Sequence, residues 1–108
     1  MNLGQQGERQ AQDYLTKQGL NFVKANVRYP FGELDLIMRD GAHWVFIEVK
    51  LRTNPNFGGA ISAISPQKIQ RIRKAASAYL QQQRIQAPCR FDVIAIDNQN
   101  IQWIKGAF

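Results

Sequence analysis

The chain opens with apolar positions at helical spacing: Leu3, Gly7, Ala11, Tyr14 and Leu15 fall on one side of a helix over residues 3–18, with Gly19 placed to cap it. The pattern then changes. Residues 20–28 read as a strand anchored by Phe22 and Val27, and Tyr29-Pro30-Phe31-Gly32 turns the chain, Pro for its missing donor and Gly for its freedom of dihedral. Two runs rich in β-branched and aromatic residues follow, 33–38 and 43–50, around the turn Arg39-Asp40-Gly41-Ala42, which predicts a β-hairpin. With an even turn, Leu34, Leu36 and Met38 share an apolar face with Val45, Ile47, Val49 and Leu51.

Beyond the hairpin, residues 52–60 have loop chemistry, with Pro55, Asn54, Asn56 and the pair Gly58-Gly59; Ile61, Ala63 and Ile64 begin the return to packed structure. Ser65-Pro66 reads as the N-cap and first position of a second helix, whose stripe is Ile69, Ile72, Ala76, Tyr79 and Leu80. Residues 90–96 are apolar almost without interruption from Val93, as in a strand covered on both faces; 98–100 is a turn and 101–104 a last strand. One domain spanning 1–108 is expected, an α/β fold with a mixed central sheet of about five strands flanked by helices.

The second face of the hairpin carries the chemistry. It groups Glu33, Asp35, Glu48, Lys50 and Arg52 with Ile37, Trp44 and Phe46, and ionisable groups among large apolar ones are costly unless something pairs with them. Pairing Arg39 with Ala42 sets Glu48 across from Glu33 and Asp35 across from Phe46, one diagonal step from Glu48. At that range two carboxylates can share a hard divalent cation, and Lys50, on the same face, can stabilise phosphate charge or position a water. A one-residue change in turn length would send Asp35 to the other side.

Charge narrows the partners. Fourteen Lys and Arg against eight Asp and Glu give a net charge of +6, and the pI is near 9.9, which favours polyanions. Cys89 is the one cysteine, so neither an internal disulfide nor a cysteine-rich zinc site is expected; it reads as a small, partly buried apolar residue preceding a strand. No signal peptide or membrane span is apparent, which makes a cytoplasmic location the simplest expectation.

Asp35 followed by Glu48-Val49-Lys50 resembles the Asp…(Asp/Glu)-X-Lys signature of the PD-(D/E)XK nuclease superfamily. Over nearly the whole chain, Gly7-Glu8, Asn26, Gly32 to Ile37, Phe46 to Arg52 and Arg90 to Ile94 look like the uncharacterised bacterial YraN-type family. Two departures stand out: Leu34 occupies the place of the signature proline, and Tyr79 has Ala75 four residues before it, so the exonuclease-type Gln-x-x-x-Tyr element is absent. The resemblance implies a restriction-endonuclease-like fold and metal-dependent phosphodiester hydrolysis. Carried over, Asp35 and Glu48 would hold Mg2+ or Mn2+ with Glu8 and the Val49 carbonyl, and Lys50 would orient water or stabilise the phosphorus centre. Nucleic acid, DNA ahead of RNA, is the implied partner, with Arg52, Lys68 and Arg28 as phosphate contacts. Related junction-cutting enzymes work as dimers, so a homodimer is admitted, though no dimer surface stands out in these residues.

Each of these readings has a plainer counterpart. Glu8 alone is a solvated first-turn acid favoured by the helix dipole. Lys68, Arg71, Arg73, Lys74 and Arg84 are an ordinary charged helix face, and Arg28 a solvated strand-end residue. Phe57 is an anchor for its loop rather than a wedge, Asp92 a structural partner of Arg90 or another base rather than a ligand, and His43 a turn residue. Two other functions remain open: a non-catalytic nucleic-acid-binding module on the same fold, and an adaptor whose carboxylates are tied to Lys50 and Arg52.

Overall fold

The computed structural model describes residues 3–52, 64–97 and 100–108. Helix α1 (Leu3–Lys17) is followed by β1 (Asn21–Tyr29), β2 (Gly32–Asp40) and β3 (His43–Arg52), then α2 (Pro66–Gln82), β4 (Cys89–Asp97) and β5 (Asn100–Ile104). The strands lie in chain order in one sheet. Only β3 and β4 are parallel, the others antiparallel, because α2 supplies the long crossover that a parallel pair requires. This mixed five-stranded sheet with two helices is the restriction-endonuclease-like arrangement.

Helix α1 ends where glycine permits it. Gly19 takes φ +102, and the Leu20 amide donates back to the Leu15 carbonyl at 3.1 Å, so Leu20 closes the helix instead of opening the strand as expected. Ala11, Leu15 and Leu20 pack with Leu36, Met38, Val45, Ile47, Ile94 and Ile96. On the other face Ile72, Ala75, Ala76 and Tyr79 of α2 pack with Leu34, Ile37 and Phe46. The start of α2 is as the sequence predicts: Ser65 Oγ accepts the Lys68 amide at 3.1 Å, and Pro66 opens the helix.

Leu34 is therefore on the α2 side, opposite to Leu36, which corrects the expected apolar face. The cause lies next door. Asn26, in β1, takes φ +56, a left-handed conformation that Asn tolerates better than most residues. Val27 pairs with Leu34 and Ala25 with Leu36, and the two pairs pack on opposite helices. Both strands turn over together at Asn26 and Asp35.

Two further expectations change. Gly32 has no unusual dihedral; a Cβ there would stand 2.5 Å from the Arg71 carbonyl oxygen, so glycine lets the β1–β2 turn lie against the α2 backbone. Cys89 is exposed and is itself the first residue of β4, paired with Trp44. Asp92 is structural, as expected. Fully buried, it accepts from Arg90 Nε at 2.8 Å and Nη2 at 2.9 Å, and from Trp103 Nε1 and the Gly106 amide, both at 3.0 Å. Arg90 also donates to Asp40 at 3.0 Å, so the carboxylate's lone pairs are satisfied.

Candidate active site

The hairpin turn falls one residue later than its sequence suggests. Asp40 pairs with His43 and Arg39 with Trp44, leaving Gly41, at φ +61, and Ala42 as a two-residue loop. The register expected from Arg39 opposite Ala42 is thus displaced by two residues. Two is even, so the faces are preserved, but the partners change. The β2–β3 ladder stops at Leu36 opposite Ile47, and the next pair in that register is Asp35 with Glu48, directly across instead of diagonal. Here the strands part, and the Val49 amide donates to Asp35 Oδ2 at 2.9 Å.

The two acids act on each other: a side-chain hydrogen bond between them raises the Glu48 pKa and lowers that of Asp35. Glu48 is 5% exposed. Burial first, and the neighbouring Asp35 charge second, push its pKa up to about 7, against the opposing pull of Lys68 and Lys50. Burial also raises Asp35, although the Val49 amide and Glu48 favour its charged form. This pair is electrostatically incomplete when both acids ionise. A cation of high charge density would relieve it, and two hard oxygen donors suit Mg2+ or Mn2+.

Lysines border the pair. Lys50 follows Glu48 by two residues on β3 and acts on its charge. Lys68 Nζ lies 3.6 Å from Glu48 Oε1, a contact absent from the sequence reading, which offered Lys68 as a phosphate ligand. A signal existed: a lysine in the first helical turn opposes the helix dipole, so an acid facing it is a natural compensation. Glu8 stands to one side. It is half-buried, burial raises its pKa against a hydrogen bond with Asn26, and the Asp35 charge adds to the rise. Among the described residues no three His, Cys, Asp or Glu side chains gather into one metal-binding group; Glu8 is linked to the carboxylate pair through the Asp35 charge.

A groove of about 720 Å3 runs beside the pair, between the β1–β2 turn and α2. Arg28, Lys68, Arg71 and Lys74 line it, with Glu33 as its acid. Arg28 sits 3.7 Å from Glu33 in an exposed pair. Sequence reasoning named Arg28 and Lys68 but treated Arg71 and Lys74 as part of a general basic surface, because strand-to-helix proximity cannot be read from spacing. The side chain of Arg52 and the loop with Phe57 lie outside the described residues.

These elements define the class: a restriction-endonuclease-like α/β domain with paired carboxylates on adjacent strands. The chain belongs to the family described as "Uncharacterised protein family UPF0102", the YraN-type family, whose pattern matches residues 7–96. It is 62% identical over 108 residues to a UPF0102 protein of Shewanella denitrificans and 59% to one of Shewanella baltica, each covering both chains fully. A third, from Shewanella woodyi, is 57% identical over 105 residues, 97% of this chain and 90% of its own.

Proposed function

We propose that the protein is a metal-dependent nuclease that hydrolyses phosphodiester bonds, with branched or otherwise structured DNA as the favoured substrate class. The observation that carries this reading is the Asp35–Glu48 pair, two acids pressed together at a parting of strands with lysines on its border. A pair so costly to ionise in isolation is suited to a divalent cation. Asp35 and Glu48 would hold Mg2+ or Mn2+, with Glu8 and the Val49 carbonyl as the further oxygen donors that the family resemblance implies. Such an ion, when bound, lowers the pKa of water and neutralises charge developing on phosphate.

The chain's own groups do the rest. Lys50 orients the attacking water or stabilises the negative charge gathering on the phosphate oxygens. Lys68, which sits 3.6 Å from Glu48, would be free to turn to the phosphate if the carboxylate were held by another cation. Arg28 and Arg52 take flanking phosphates, by charge and not by sequence. Among the described residues no helix is long and apolar enough to cross a membrane, and a cytoplasmic location, with nucleic acid at hand, accompanies the reading.

The test is incubation of the protein with linear, flapped and four-way-junction DNA and with structured RNA, in Mg2+ or Mn2+. Cleavage that EDTA, Asp35→Ala, Glu48→Ala and Lys50→Ala each abolish, in variants shown to be folded, supports the reading. Salt-sensitive binding that survives all three substitutions, with no cleavage by the parent, overturns it in favour of a non-cutting module.

A further inference from the structure

Phe31, at the tip of the β1–β2 turn, leaves 43% of its surface exposed. A single exposed aromatic is unremarkable in itself; the way this one is mounted is not. Its ring lies on that of Tyr29, with centroids 5.2 Å apart and planes within 7° of parallel. Tyr29 in turn donates its hydroxyl proton to Gln82 Oε1 at 2.9 Å, near the end of α2. Gly32 presses the same turn against the Arg71 carbonyl. The stacked pair is thus fixed to α2 at two points, a flat apolar platform without the rotational freedom of a lone side chain.

The platform lines the groove whose other wall carries Arg71 and Lys74, and which also includes Glu33 and Lys68, the lysine 3.6 Å from Glu48. Four cations against one acid match a chain of phosphates. An aromatic face alternating with cations matches a nucleic-acid strand whose bases are free to stack, since duplex bases already use both faces on their neighbours. We infer that the groove between the Tyr29–Gly32 turn and α2 binds an unpaired nucleic-acid strand, with a base on Phe31 and phosphates on Arg71 and Lys74. The inference rests on the reading above that the site acts on nucleic acid, and it specifies the part of the substrate that is single-stranded: the groove leads that strand toward Asp35 and Glu48.

The experiment is fluorescence anisotropy of a labelled oligodeoxythymidylate of about 12 nucleotides, in EDTA so that cleavage does not intervene, with the full chain. Phe31→Ala is expected to weaken binding by about fivefold to a hundredfold, the range for loss of one base–aromatic stack, and Phe31→Trp to retain it. A duplex of equal length is expected to bind with no dependence on Phe31. The double variant Arg71→Gln, Lys74→Gln is expected to reduce the salt slope by about 1.4, for two phosphates on a single strand. An oligouridylate arm reads the sugar: Phe31 dependence in either polymer supports the site, and dependence in neither overturns it. Unchanged affinity in a Phe31→Ala protein that melts like the parent, or displacement of the oligonucleotide by polyglutamate as readily as by unlabelled strand, also overturns it. Phe31-dependent binding with no metal-dependent cleavage by the parent would keep the strand site and remove the nuclease reading; cleavage with binding indifferent to Phe31 would do the reverse.

Discussion

The Val49 amide donates to Asp35 Oδ2 at 2.9 Å, and it does so just past the last backbone pair of the β2–β3 ladder, Leu36 with Ile47. A side chain has taken over a main-chain duty. Asp35 therefore serves the fold as well as its proposed place in the site, and two substitutions separate the duties. Asp35→Asn keeps an oxygen for the amide, whereas Asp35→Ala leaves that donor without its partner. Urea unfolding in EDTA should place the alanine variant about 1–3 kcal/mol below the asparagine variant. Both should lose cleavage; equal stability of the two would show that the contact carries no weight.

Acid–base behaviour follows from the raised pKa values of Glu48 and Asp35, caused first by burial. A carboxyl whose folded pKa lies above its unfolded value contributes stability that is full below the unfolded value and is lost as pH rises through the folded one. For Glu48 that window runs from 4.5 to about 7. Thermal midpoints in EDTA are expected to fall from about pH 5 to about pH 8. If the pair takes the proposed cation, millimolar Mg2+ should restore them more at the upper end, because the ion would bind the deprotonated acids.

Glu48→Gln removes the titrating group while keeping its shape. In EDTA at about pH 8 the variant should melt several degrees above the parent, a shift corresponding to about 1 kcal/mol or more for a chain of this size. Its response to Mg2+ should vanish. A midpoint below the parent's at that pH would mean that the ion pair with Lys68 outweighs the repulsion from Asp35.

Gly32→Ala would set a methyl group against the Arg71 carbonyl oxygen, at 2.5 Å before any relaxation. Backbone cannot rotate aside as a side chain can, so a loss of about 1–3 kcal/mol is expected by chemical denaturation. Gly7→Ala is the contrast: its nearest obstacle, at 2.6 Å, is the side chain of half-exposed Leu51, which can move, and its cost should be smaller.

Asp92→Ala should be the most damaging of these changes. It leaves the Trp103 indole and the Gly106 amide without their acceptor and the Arg90 guanidinium with Asp40 alone, around a void. Breaking a buried ion pair from one side typically costs about 3–5 kcal/mol, so a loss of cooperative unfolding at moderate temperature is expected in circular dichroism.

Much of the architecture is legible before any coordinates, because its signals are local. Ser65-Pro66 starts α2, Gly19 ends α1, and Gly41-Ala42, one residue on from the expected Asp40-Gly41, turns the hairpin. The juxtaposition of Asp35 with Glu48 also follows from alternation, since the two-residue error in register was even. What escapes is non-local. The Lys68–Glu48 contact joins a helix start to a strand that it follows in sequence, Gly32 is small because of α2 and not because of its own turn, and Asn26 reverses the faces of β1 without any mark in the hydrophobic pattern. Leu34 was misplaced for that last reason: strict alternation assumes a backbone that never leaves the extended region.

The reversal at Asn26 divides one ribbon between two allegiances. Near its base Ala25 and Leu36 face α1 while Val23 and Ile37 face α2, and past the reversal Val27 and Leu34 face α2, so that only the base is held from both sides. Partial opening of the molecule should follow that seam. If α2 detaches, the tip with Tyr29 and Phe31 should go with it, leaving the base of the ribbon protected, and native-state amide exchange would register two distinct free energies along a single pair of strands.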